Sequence, residues 1–134
     1  MPPQGQCNCG AISVFIKNDE AVKSTGTYCH CIPCRRQSGA LGTYVTVISD
    51  EDVEVTGTPK AYQDTATDSG VTMQRWFCPN CGSPIMSTTP RAPGVKFIKM
   101  GLFDEIQRPV AEVYCKNKSD WEGSVEGCVS KDRS

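Results

Sequence analysis

The sequence predicts one small domain that is mainly β, with little helix and with metal sites that help to hold it together. Three observations support this prediction. The 134 residues are the usual length of a single domain. Short β-branched segments alternate with turns that contain Gly and Pro. The chain has nine cysteines, seven of them in closely spaced groups, which is unusual for a chain of this size.

The strands are predicted from alternating or β-branched segments, taken in chain order. Gly57-Thr58-Pro59 is expected to form the turn between two of them. No segment shows strong helical periodicity, and one or two helical turns are expected to begin near Pro33, since proline is tolerated at a helix start. The polar, Gly- and Ser-containing segment 122–134 is predicted to be a flexible tail. The predicted strands lie at 11–17, 41–48, 52–57, 60–65, 70–78, 83–89, 94–101 and 108–115.

Composition and charge exclude several classes of protein. The formal net charge is −1, which argues against a nucleic-acid binder because such proteins need a basic face. No apolar run approaches the length of a membrane span, and the first residues lack the pattern of a secretory signal. A cytoplasmic location, where thiols stay reduced, is therefore expected.

Seven of the nine cysteines form three groups whose spacing is typical of metal ligands. An odd number of cysteines cannot all pair within one chain, and cysteines separated by one residue do not form disulfides easily. The segment from Cys78 to Gly82 has the spacing of a zinc knuckle. The groups are Cys7 and Cys9; Cys29, Cys31 and Cys34; and Cys78 and Cys81.

Seven thiols are one short of two closed zinc sites, because structural zinc takes four protein ligands. One interpretation is that the two pairs form a closed four-cysteine cluster. The remaining three cysteines, Cys29, Cys31 and Cys34, form a triplet with a fourth position for water or a substrate thiol. Alternatively His30, Cys115 or Cys128 fills that position and makes the second site structural too. A single zinc, with the triplet left as free thiols, is a third interpretation.

The cysteine segments resemble the family of glutathione-dependent formaldehyde-activating enzymes, which includes centromere protein V. The resemblance runs from residue 5 to residue 121, the predicted domain, and implies an antiparallel Mss4-like β fold. The matching segments are CNCGAISV (7–14), CHCIPCRRQSGA (29–40), RWFCPNCGSPI (75–85), GLFDE (101–105) and KSDW (118–121).

The resemblance also implies two Zn²⁺ ions per chain and a reaction. The structural zinc would be bound by Cys7, Cys9, Cys78 and Cys81. The catalytic zinc would be bound by Cys29, Cys31 and Cys34. The implied activity is that of a carbon–sulfur lyase, which joins glutathione to formaldehyde as S-hydroxymethylglutathione. The partner expected from this is a small thiol such as glutathione or its adduct.

Residues around the triplet are candidates for substrate contact. Arg35 or Arg36 could hold a glutathione carboxylate bidentately, or both could be a solvated pair. Gln37 and Ser38 are expected to line the pocket. The only histidine, His30, is expected to point away from the metal.

One position departs from the family pattern. Relatives often have His-Ile about nine residues before the late tryptophan, where this chain has Glu112-Val113. Glu112 is predicted to be a solvated strand residue, with a role as acid or base as the alternative.

Two other functions fit the same residues. One is a tailoring enzyme that makes or breaks a C–S bond in a larger metabolite. The other is a non-catalytic binding module that zinc stabilises. An open position at the triplet would favour chemistry, whereas a fourth protein ligand would favour the module.

Overall fold

The computed structural model describes residues 4–67 and 69–133 and confirms a mainly β chain with little helix. The two α-helices are α1 (Glu20–Thr25) and α2 (Ile32–Ser38). Single 3₁₀ turns lie at Asp50–Asp52, Met100–Leu102 and Cys115–Asn117. The strands are β1 (Gln4–Gln6), β2 (Ser13–Ile16), β3 (Thr27–Cys29), β4 (Thr43–Ser49), β5 (Val53–Thr56), β6 (Lys60–Asp64), β7 (Met73–Phe77), β8 (Pro84–Thr88), β9 (Val95–Lys99), β10 (Ala111–Val113) and β11 (Val129–Ser130).

The strands form two sheets. One has the order β1-β2-β5, and the other has the order β11-β10-β3-β4-β9-β8-β7-β6. The pairs are antiparallel except at β10, which runs parallel to both β3 and β11. Each predicted strand segment overlaps an observed strand. No local pattern predicts β1, β3, β11 or α1, because two to six residues are too few to show a periodicity.

One face of the eight-stranded sheet packs on the three-stranded sheet and α1 in a single apolar core. Its central side chains are fully buried β-branched residues from four strands, which suits a pleated, two-sided environment. No helix in the described part of the chain has both the length and the apolar character needed to cross a membrane. The side chains with no exposed surface include Val14, Ile16, Ile48, Ile85 and Ile98.

The opposite face of the same sheet carries several buried polar side chains beside apolar ones such as Val45 and Phe97. Side chains of directly paired residues share a face, and so do side chains two residues apart on one strand. The observed register therefore joins the residues of neighbouring strands into one row. We call this row the polar face; it consists of Cys29, Thr43, Lys99, Ser87 and Arg75. All but Cys29 are buried.

The segment after Trp121, predicted as a flexible tail, lies along β10. The backbone amide of Val129 donates to the Val110 carbonyl at 3.0 Å, and that of Lys131 donates to the Glu112 carbonyl at 2.9 Å. These bonds make β11 the outer strand of the large sheet. The domain boundary at residue 121 stays a prediction.

Gly42, just before β4, packs closely against the end of β3, where the first cysteine of the triplet lies. A Cβ atom there would lie 2.6 Å from the Cys29 carbonyl oxygen and 2.7 Å from Tyr28 Cε1. Gly42→Ala must therefore push β3 away from β4, and we expect a loss of about 1–3 kcal/mol in the free energy of unfolding. Gly101→Ala is the control, because nothing lies within 4 Å of its Cβ. Urea denaturation measures both variants, and equal stability would contradict the close approach.

Candidate metal centres

The four-cysteine cluster joins the N-terminal segment to the turn between β7 and β8. The four sulfur atoms all lie within 4.8 Å of one another. The Cys7 and Cys9 sulfurs are 3.6 Å apart, and the Cys9 and Cys78 sulfurs are 3.7 Å apart. Cys7 and Cys78 are each 1% exposed, so two of the four thiols lie in the core.

Both pairs of this cluster sit in turns closed by a glycine. Gly10 and Gly82 have φ values of 81° and 79°, a conformation that glycine adopts without steric cost. The Gly10 amide donates to the Cys7 carbonyl at 3.0 Å, and the Gly82 amide donates to the Cys78 carbonyl at 2.8 Å. These short turns direct two sulfurs from each segment to one point.

The donor set fits zinc. A Zn–S bond of about 2.3 Å in a tetrahedral site places the sulfurs about 3.8 Å apart, close to the separations in the four-cysteine cluster. Thiolate sulfur is also a preferred zinc ligand. The cluster could therefore hold one metal ion through four protein ligands.

The triplet is formed where β3 ends and α2 begins. Cys29 is the last residue of β3, Cys31 is the N-cap of α2, and Cys34 lies in its first turn. The three sulfurs lie within 4.8 Å of one another, and those of Cys29 and Cys34 are 3.6 Å apart. The Cys34 amide donates to the Cys31 sulfur at 3.4 Å, so a cysteine caps the helix. The helix start predicted near Pro33 is confirmed.

No fourth His, Cys, Asp or Glu side chain from residues 4–67 and 69–133 joins the triplet. His30, Cys115 and Cys128, the alternatives from the sequence, are not part of it. The sulfur separation suits the same Zn–S geometry. The triplet could therefore hold a metal ion through three protein ligands, and its catalytic role stays a prediction.

Hydrogen bonding within the triplet makes the three thiols unequal. Hydrogen bonding with the Cys29 and Cys31 thiols lowers the pKa of Cys34. Hydrogen bonding with Cys31 and Cys34, together with burial, raises the pKa of Cys29. Cys34 is therefore the thiol of the triplet that loses its proton most readily without a metal.

Two buried cations that the sequence analysis missed face the triplet. Arg75 Nη1 donates to the Cys34 sulfur at 3.7 Å, and its Nε donates to Asp64 Oδ2 at 2.7 Å. Burial opposes the charge of Arg75, but Asp64 and Cys34 raise its pKa overall. Burial lowers the pKa of Lys99, against the charges of the cysteines. Negative charge at the triplet is thus matched by Arg75 and Lys99.

His30, the residue after β3, and Glu112 of β10 form a buried pair. His30 Nε2 donates to Glu112 Oε1 at 2.9 Å, and Glu112 also accepts from Lys118 Nζ and the Val125 amide. Burial alone would raise the pKa of Glu112, but these donors lower it. The prediction that Glu112 is solvated is wrong: it is 2% exposed, because β3 and β11 flank β10 on both sides.

The four candidate substrate residues do not come together. Arg36 and Gln37 line one cleft of about 470 Å³, the α2 cleft, together with Arg75. Ser38 lines a different cleft of about 730 Å³, the central cleft, together with Cys7 and Lys99. Arg35 lines neither of these two clefts.

The side chains of Ser38 and Gln37 differ in whether their polar groups already have hydrogen-bond partners. The Ser38 hydroxyl donates to the Gly42 carbonyl at 2.9 Å. Its hydrogen is therefore already bonded at the end of α2. Gln37 Nε2 is buried and has no hydrogen-bond partner among the described residues. Gln37 therefore keeps a free donor at the α2 cleft, whereas Ser38 does not.

Comparisons with known proteins agree with this geometry. A solved crystal structure of a Rhodobacter sphaeroides protein matches with a TM-score of 0.60. The match covers 78% of this chain and 90% of that chain at 19% identity, which indicates a shared fold. No curated protein matches the chain. The family model described as glutathione-dependent formaldehyde-activating enzyme matches residues 2–117, and the chain therefore belongs to that family.

Proposed function

We propose that the protein is a zinc-dependent carbon–sulfur lyase or synthase that acts on glutathione or a glutathione adduct such as S-hydroxymethylglutathione. The observation that supports this most is the triplet: three gathered thiols beside two buried cations, with no fourth metal-binding side chain from the described residues. An arrangement with an open position is typical of catalytic zinc sites. Membership of the family supports a glutathione-related, zinc-binding role.

Two zinc ions per chain fit this proposal, a structural one at the four-cysteine cluster and a catalytic one at the triplet. A bound Zn²⁺ lowers the pKa of a thiol and so supplies thiolate at neutral pH. Charge at the triplet supports a divalent ion. Three thiolates and Asp64 carry four negative charges, which Arg75, Lys99 and a divalent cation balance.

The reaction that we propose is the addition of a thiolate to a carbonyl, or its reverse. The sulfur of glutathione forms a bond to the carbonyl carbon of formaldehyde. The electron pair of the C=O bond moves to the oxygen, which takes a proton and becomes a hydroxyl. The reverse reaction expels the thiolate. Cys29, Cys31 and Cys34 would hold the metal ion and leave one position beside it for the substrate sulfur, while Arg75 and Lys99 offset negative charge there.

Substrate contacts and location belong to the same proposal. Gln37 offers a buried unpartnered donor, and Arg36 is an exposed cation at the same cleft. Arg35 and Ser38 remain candidates on the same helix. A cytoplasmic location is supported by the nine cysteines, all of which are free thiols in the structure.

The two metal sites should differ in how readily they lose zinc. The four-cysteine cluster has four ligands from distant segments and two of them are in the core, so it should resist a chelator. The triplet has an exchangeable position and should release zinc first. Metal analysis during a chelator titration, with circular dichroism recorded alongside, should show one zinc lost while the fold is retained. Release of both ions together with unfolding would contradict this division.

Cysteine variants from the two clusters should separate folding from activity. Cys78→Ser removes a ligand of the structural site, where metal binding can contribute roughly 10 kcal/mol to folding, so the melting temperature should fall strongly. Cys31→Ser should leave the melt nearly unchanged and abolish formation of S-hydroxymethylglutathione from glutathione and formaldehyde, followed by NMR. Equal thermal destabilisation of the two variants would contradict a structural role for one cluster and a catalytic role for the other. Full activity of a folded Cys31→Ser protein would contradict the proposed function.

A further inference from the structure

Lys99 is a buried cation without a carboxylate partner among the described residues. It is 5% exposed, and no ion pair or hydrogen bond of its ammonium occurs in residues 4–67 and 69–133. Other buried charges near the triplet are paired: Arg75 with Asp64, and Glu112 with His30. Charged side chains are rarely fully buried unless they are paired. The exception at Lys99 therefore needs an explanation.

The simplest explanation is that Lys99 only neutralises the triplet. The three cysteines do act on its charge. However, the thiolate of Cys34 already has Arg75 as a hydrogen-bond donor at 3.7 Å. A metal ion would also take up much of the negative charge of the three sulfurs. Neutralisation alone therefore leaves the Lys99 ammonium without a hydrogen-bond acceptor among the described residues, whereas Arg75 has two.

The position of Lys99 gives it a second role. It lies in the wall of the central cleft, whereas Arg75 lines the α2 cleft. Among the described residues, the only acidic side chain in that wall is Asp104, which is exposed. Lys99 also shares the polar face with Cys29 and Thr43. A ligand whose sulfur lies at the triplet would therefore have a buried ammonium group beside it, at the edge of a cleft of about 730 Å³.

We propose that Lys99 binds a carboxylate of the thiol substrate in the central cleft, and thereby selects thiols that carry an acid group over neutral thiols. The inference rests on the proposed function only in placing the substrate sulfur at the triplet. A carboxylate supplies the hydrogen-bond acceptor that Lys99 lacks among the described residues, and a charge-assisted bond in a buried site is stronger than one at an exposed cation. Arg36, which is exposed, is the weaker of the two candidates for that contact.

The test compares thiols with and without a carboxylate on the zinc-loaded protein. Calorimetry with 3-mercaptopropionate and 2-mercaptoethanol measures the preference for the acid, and glutathione is included as the larger ligand. We expect the wild type to bind the acid at least about tenfold more tightly, in keeping with one charge-assisted hydrogen bond. Lys99→Met should abolish that preference, and Lys99→Arg should retain part of it. Lys60→Met is the control and should keep it, because Lys60 is exposed and lines neither cleft. Arg36→Ala tests the rival contact.

The outcomes separate this inference from the proposed function. If neither thiol binds the zinc-loaded wild type, the proposed function fails. If both bind equally well to the wild type, or if Lys99→Met keeps the preference, the role of Lys99 is wrong. Loss of the preference in Arg36→Ala alone would place the carboxylate in the α2 cleft and would also overturn the inference.

Zinc content and thermal melts identify effects on the metal site itself. If Lys99→Met does not fold, Lys99→Gln replaces it in the comparison. A folded variant with less zinc but an unchanged preference at equal zinc occupancy would mean that Lys99 acts on the metal site, which contradicts a role in ligand selection.

Discussion

Buried charge on one face of the eight-stranded sheet is the constraint around which the site is organised. Arg75, Lys99 and Asp64 are all nine-tenths buried or more, and taking such groups out of water costs several kcal/mol each unless they are compensated. Asp64 compensates Arg75, and the triplet compensates what remains. The three thiols are thus part of the electrostatic balance of the fold as well as the predicted chemical centre, and a divalent ion completes that balance.

This constraint explains why the two faces of the sheet differ in composition and in what they contribute to the fold. The apolar face provides the hydrophobic stabilisation through residues such as Ile48 and Ile98, which have no exposed surface. The polar face provides little of it and holds groups whose burial is costly. Their positions are fixed by the strand register, since paired residues must share a face. The packing of the apolar face therefore fixes the strands whose other face carries Cys29 and the buried charges.

The sequence predicted those parts of the structure that local patterns determine. Cysteine spacing located both clusters, alternation located the longer strands, and Pro33 marked the start of α2. Arg75 and Lys99 were missed because each reads as one polar residue in an alternating strand, which suggests solvent. Their burial depends on packing between segments that are distant in sequence, which a local pattern does not encode. Glu112 was misjudged for a related reason: a parallel neighbour on each side turns a short strand from an edge into an interior strand.

The four-cysteine cluster lies beside the central cleft, the cleft in which Lys99 is proposed to bind the substrate. Cys7, Asn8 and Ser83 line the same central cleft as Lys99. The Asn8 amide donates to the Ser83 hydroxyl at 3.0 Å, which ties the N-terminal turn to the knuckle. The Ser83 hydroxyl also lies 3.2 Å from the Cys81 sulfur. One wall of the cleft is therefore built from the turns that present the four thiols, while Lys99 and Thr43, which share the polar face with Cys29, lie in the wall as well. A metal that closes those turns would therefore shape the wall of the cleft as well as stabilise the fold.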